Sequence, residues 1–115
     1  MKLIIAGGRK TFLSRYDKEK LSAIHKEEAI TEVISGGASG VDNDAICWAE
    51  DNDIPFRIFR ANWRELMKAA GPIRNKEMAE YADAVALFPG GTGTKSMFKE
   101  AKAADIKIYN YSNIK

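Results

Sequence analysis

One cysteine and one histidine among 115 residues leave little room for metal or disulfide chemistry. Cys47 has no second thiol to pair with inside the chain, and with His25 it makes at most half of a structural Cys/His zinc set. No metal site and no cofactor are therefore expected, although carboxylates remain able to hold magnesium on a bound phosphate. Long apolar runs are missing too. No stretch approaches the roughly 18 residues of a membrane span, and the opening "MKLIIAGGRK" is too short in its apolar part for a secretory leader and reads as a strand. The expectation is a cytoplasmic protein with no membrane partner. Nor is charge of one sign concentrated: 18 Lys and Arg are scattered among 16 Asp and Glu, a net charge of +2. Such a balance permits nucleic-acid binding without indicating it.

What the chain does have is the composition of an ordinary folded domain, 45% hydrophobic and 30% charged. Its length suits one domain covering residues 1–115, with a core that needs no metal or disulfide. Short β-branched runs alternate with longer stretches of helical period, the pattern of βαβ units. Strands are expected at about Lys2 to Ala6, Glu32 to Ser35, Phe56 to Phe59, Ala84 to Phe88 and Lys107 to Tyr109. A first helix from Lys18 to Glu28 takes Asp17 as its cap, and a second, starting after Gly40, carries Val41, Ala45, Trp48 and Ala49 on one side. Asn62 is read as capping a short turn through Trp63, Leu66 and Met67. Pro72 suits the first position of a helix ending near Tyr81. A last helix from Thr94 to Ala104 aligns Met97, Phe98, Ala101 and Ala104. Right-handed crossovers then give an α/β, Rossmann-like three-layer sandwich with a five-stranded parallel sheet in the order 3-2-1-4-5.

That order brings the ends of strands 2, 1 and 4 together, and each is followed by glycines: "GGR" with Gly7, Gly8 and Arg9; "SGGASGVD" with Ser35, Gly36, Gly37, Ala38, Gly40 and Asp42; "PGGTGT" with Pro89, Gly90, Gly91, Thr92, Gly93 and Thr94. The second and third clusters run into helix N-termini, where free N–H groups and the positive dipole end favour an anion. Glycines in one such turn are read equally well as a tight strand-to-helix connection; three clusters on neighbouring strands point to a phosphate-bearing ligand. The device is not a P-loop, because Thr94 precedes Lys95 where glycine is required and the four-residue spacer is absent. Nor is it a dinucleotide fingerprint, since strand 1 is followed only by "GGRK".

"SGGASGVD", "GPIRNKEM" at 71 to 78 and "PGGTGT", in that order, resemble the SLOG superfamily, which includes the DNA-processing A protein, the Lonely Guy cytokinin-activating hydrolases and the YspA-like domains of unknown function. The resemblance is closest to the YspA-like group and covers nearly the full chain. It implies that the PGGxGTxxE-type loop holds the phosphate of a nucleoside 5′-monophosphate, with Pro89, Gly90, Gly91, Gly93 and Thr94 on that loop. In the hydrolases the pattern ends in a glutamate that acts on the N-glycosidic bond. Here that position is Met97, which falls on the apolar helix face and whose thioether cannot do a carboxylate's work. Arg74 is similar to the family's preceding arginine and suits a phosphate, with a solvated helix residue or an ion pair to Glu77 or Glu80 as the structural alternative. Asn75 is a second candidate of that kind.

Arg9 reads equally as a phosphate clamp and as a surface residue, and Asp42 as a ribose acceptor or a carboxylate favouring the helix dipole. Asp44 and His25 are expected on the surface, Trp48 in the core and Trp63 at the pocket rim. The leading reading is a sensor or effector module binding a nucleotide or a nucleotide-derived phosphate ligand at the strand-end crevice. Hydrolysis of a nucleoside 5′-monophosphate by the Lonely Guy route is the second. Single-stranded DNA binding, which needs a basic groove with stacking aromatics, is the third and weakest. Apolar helix faces permit a homodimer.

Overall fold

Residues 1–62, 64 and 67–114 are described by the structure, a computed structural model. The first aliphatic run forms strand β1 (Lys2–Ala6), followed by helix α1 (Arg15–Glu28), β2 (Glu32–Ser35), α2 (Val41–Asp51) and β3 (Phe56–Ile58). A short 3-10 turn (Met67–Ala69) leads into α3 (Ala70–Tyr81), then β4 (Ala84–Leu87), α4 (Thr92–Ala103) and β5 (Lys107–Asn110). All neighbouring strands pair in parallel, in the order β3-β2-β1-β4-β5. Leu3 lies between Val33 and Ala84, and Ile4 between Ile34 and Val85. The Rossmann-like order expected from the strand and helix pattern is therefore the order of the fold.

Side chains alternate across a strand, so β1 feeds two cores. Leu3 and Ile5 join Leu21, Ile24, Val41, Ala45 and Trp48 beneath α1 and α2. Ile4 and Ala6 join Met78, Ala79, Met97 and Ala101 beneath α3 and α4. Burial on both faces explains why β1 and β4 read as unbroken apolar runs.

Helix boundaries depart from the expectation where a cap competes with periodicity. Helix α1 begins at Arg15, because Ser14 caps it: Asp17 N donates to Ser14 Oγ at 3.1 Å and Ser14 N donates to Asp17 Oδ2 at 2.9 Å. Asp17 is thus the third helical residue of a reciprocal capping box, not the cap. Pro72 is likewise the third residue of α3; the first four N–H groups of a helix lack internal acceptors, so proline costs nothing there. Helix α4 starts at Thr92, two residues before the expected Thr94. Trp63 and Leu66, assigned to a turn, lie outside the described residues, while Met67 opens the 3-10 turn with an exposed side chain. His25 is half-buried where surface was expected: its Nδ1 accepts from Ile30 N at 2.9 Å and its ring meets the edge of Trp48. Asp44, expected in solvent, accepts from Leu13 N at 2.9 Å and ties the β1–α1 connection to α2.

Candidate functional site

The three glycine clusters are hydrogen-bonded to one another at the carboxyl edge of the sheet. Gly8 N donates to Pro89 O at 2.9 Å, joining the loops after β1 and β4. Val41 N donates to Gly8 O at 3.2 Å and Ser39 Oγ to Arg9 O at 3.2 Å, joining the loops after β1 and β2. Two glycines make these approaches feasible. A Cβ on Gly40, whose φ is +76°, would stand 2.3 Å from Gly8 O, and one on Gly90 would stand 2.7 Å from Gly8 N.

Within the loop after β2, the polar groups are largely spent on the loop itself. Fully buried Ser35 donates from Oγ to Asp42 O at 3.0 Å and accepts from Gly37 N at 3.1 Å. Ala38 N donates to Asp42 Oδ2 at 3.2 Å. The Gly37 and Ala38 amides are therefore committed internally. The loop after β4 differs. Helix α4 has Gly91 as its N-cap residue and no side-chain cap. A Cβ at Gly91 or Gly93 would meet nothing within 4 Å. The first turn of α4 thus has no side chain to satisfy its N–H groups, the arrangement that favours an anion.

Arg74 and Asn75 brace the opposite wall from α3. Arg74 donates from Nη1 to Gly36 O at 2.9 Å and Phe59 O at 3.2 Å, and from Nε to Asn75 Oδ1 at 2.9 Å. Buried Asn75 donates from Nδ2 to Gly93 O at 3.3 Å and Ser96 Oγ at 3.1 Å. The arginine makes neither of the ion pairs with Glu77 or Glu80 weighed from sequence. Burial drives the Asp42 carboxyl up to about 6, against the Ala38 N–H and the positive charges of Arg74 and Arg9, which favour its ionised form. Burial also lowers Arg74, with Asp42 opposing and Arg9 reinforcing the shift.

These groups enclose a crevice of about 800 Å³. Of the residues singled out from sequence, Gly7, Gly8, Arg9, Ala38, Asp42, Arg74, Asn75 and the whole run Pro89–Thr94 line it. Ser35 and Gly40 lie beneath it as loop supports, and Gly36 and Gly37 border a smaller cavity beside it. Trp48 is in the core, and Met97, 1% exposed, forms part of the floor. Trp63 lies outside the described residues. Sequence reasoning missed Lys10, Thr11, Ser96 and Asn113 among the lining. Ser96 was readable as one turn beyond the glycine loop, whereas nothing in the pattern brings Asn113 back from the end of β5. Among the described residues, no group of His, Cys, Asp or Glu is placed to hold a metal ion.

A family model described as "YspA, cpYpsA-related SLOG family" matches residues 1–66, more than half of the chain and including the first two glycine clusters. The chain belongs to this family. The likeness of fold to known proteins extends beyond the matched residues, as two solved structures show. DNA processing protein A (DprA) from Streptococcus pneumoniae aligns with a TM-score of 0.73 at 15% identity, over 95% of this chain and 49% of that one. TM1055, a structural genomics target, aligns with a TM-score of 0.72 at 16% identity, over 93% of this chain and 71% of that one. The SLOG chain thus spans about half the length of DprA, and at these identities the likeness is one of fold. Comparison with curated proteins returns no match. No helix among the described residues is long and apolar enough to cross a membrane.

Proposed function

We propose that the crevice binds a nucleotide or a nucleotide-derived phosphate ligand, and that the chain serves as a sensor or effector module. The observation that carries this reading is the first turn of α4: a helix N-terminus on the crevice wall without a side-chain cap, where neither Gly91 nor Gly93 carries a side chain. The phosphate would sit on the N–H groups of Thr92, Gly93 and Thr94, with Arg9 and the outward edge of Arg74 supplying charge and the sugar lying toward Asp42. SLOG membership supports the ligand class.

The test is a thermal-shift panel of nucleoside mono- and diphosphates, followed by calorimetry on any compound that raises the melting temperature. Gly91→Val is the decisive variant. Its side chain enters open space, so the melting temperature stays within about 2 °C of the parent, while affinity falls at least about tenfold as the branched side chain blocks the approach. A panel without any stabilising phosphate compound, or a Gly91→Val protein that binds like the parent, removes the proposal.

Asp42 favours a second reading, hydrolysis of the N-glycosidic bond. A carboxyl held at about 6 on the crevice wall titrates where a general acid is useful. Buried Met97 in the family glutamate position counts against it. Incubation with nucleoside monophosphates decides: binding without release of free base eliminates the hydrolase.

A further inference from the structure

Beside the crevice lies a second cavity of about 330 Å³ that the reading above leaves unused. The β2–α2 loop from Gly36 to Ser39 forms one wall, and Arg60 and Ala61, beyond β3, form another. Arg9, Ala38 and Arg74 border both cavities, so the two spaces meet along these three residues.

The cavity is cationic. Its described lining holds three arginines and no Asp or Glu. Neither Arg9 nor Arg60 forms an ion pair with a described residue. Arg74 spends Nε and Nη1 on Asn75 and two backbone carbonyls, which leaves its Nη2 without a hydrogen bond among the described residues. Burial is the main cause that lowers Arg74; Asp42, on the crevice side, favours its charged form and Arg9 disfavours it. Three permanently charged guanidinium groups around one concavity repel each other, and an oxyanion among them turns that repulsion into charge-assisted hydrogen bonds. Gly37, at φ +75°, lets the loop pack close to β3: a Cβ there would stand 2.7 Å from Ile58 Cγ2 and 3.8 Å from Arg60.

We propose that this cavity is a second anion subsite, built for a phosphate group by Arg9, Arg60 and Arg74 and continuous with the crevice. The inference rests on the crevice reading, which places a first phosphate on α4. Two sources share the chemistry: a second phosphate of one ligand spanning both spaces, or a separate phosphate ion.

Titration of the ¹⁵N-labelled protein with inorganic phosphate tests it. Two saturable sets of shifts are expected, one at the amides of Thr92, Gly93 and Thr94, the other at Ser39, Ala61 and the arginine Nε signals. In Arg60→Ala the second set weakens at least about tenfold, with Arg60→Lys in between, while the first keeps its Kd within about twofold. A second set that is absent, drifts without saturating, or survives Arg60→Ala unchanged overturns the inference and leaves the crevice reading intact. Silence at Thr92 to Thr94 overturns the crevice reading instead. The source follows from two further titrations. Adenosine 3′,5′-bisphosphate moving both sets with a single Kd identifies one spanning ligand; phosphate saturating the second set on AMP-loaded protein identifies a separate ion. Either result upholds the subsite.

Discussion

Asp42 is a carboxylate kept in a place poor in water, and its consequences are electrostatic. Its carboxyl titrates at 3.8 when solvated and at about 6 in the folded chain. Between those values the folded state holds the proton more often, so this group's contribution to stability is complete below 3.8 and is lost as pH rises through about 6. The full swing is on the order of 3 kcal/mol. Asp42→Asn keeps an acceptor for Ala38 N–H and removes the charge; it is expected to be more stable than the parent at pH 7, by about 1 to 3 kcal/mol, and equal to it below pH 4. Urea unfolding across that range checks this, and parallel profiles for the two proteins refute it. Ser35 acts differently, by filling two hydrogen-bonding needs at once. Ser35→Ala strands Gly37 N beneath the loop and removes a second donor from Asp42 O, and should cost about 1 to 3 kcal/mol in the same assay.

At the scale of elements, glycines in neighbouring turns do opposite jobs. Gly40 combines a left-handed backbone with contact against Gly8 and Arg9, so Gly40→Ala should lose at least about 2 kcal/mol. Gly93, inside the first turn of α4 with space around it, tolerates the same change and gains up to about 1 kcal/mol of helix propensity. Denaturant midpoints of the two variants should therefore move in opposite directions. The same contrast explains what was legible in the sequence. The strand order was readable, because β1 and β4 are uninterrupted aliphatic runs and crossovers have one hand. The convergence of the glycine turns followed from that order. The start of α1 was not, because apolar periodicity begins later than the Ser14–Asp17 exchange that caps the helix. The division of labour among the glycines was hidden as well: only φ and neighbouring atoms separate Gly40, which closes a contact, from Gly91, which opens a space. Arg74 and Asn75 were legible as polar residues aimed at the site, but not as a brace spanning Gly36, Phe59 and Gly93.

For the molecule as a whole, β1 contributes to both hydrophobic cores, so neither layer of helices can detach without exposing the sheet between them. Unfolding is expected as a single cooperative transition, with tryptophan fluorescence and far-ultraviolet circular dichroism coinciding across a urea titration. A bound nucleotide at about 100 times its Kd should shift the whole transition by about 2.7 kcal/mol rather than one limb of it. The two kinds of glycine also bear on how such a scaffold diversifies. The glycines that lock the loops together are not the ones with open space where a side chain would stand. Gly91 and Gly93 can acquire side chains that reshape the chamber without disturbing the Gly8, Gly40 and Gly90 junction. Substitution there can therefore alter the shape of the crevice while the chassis stays intact, and the same two positions are natural attachment points for an environment-sensitive dye.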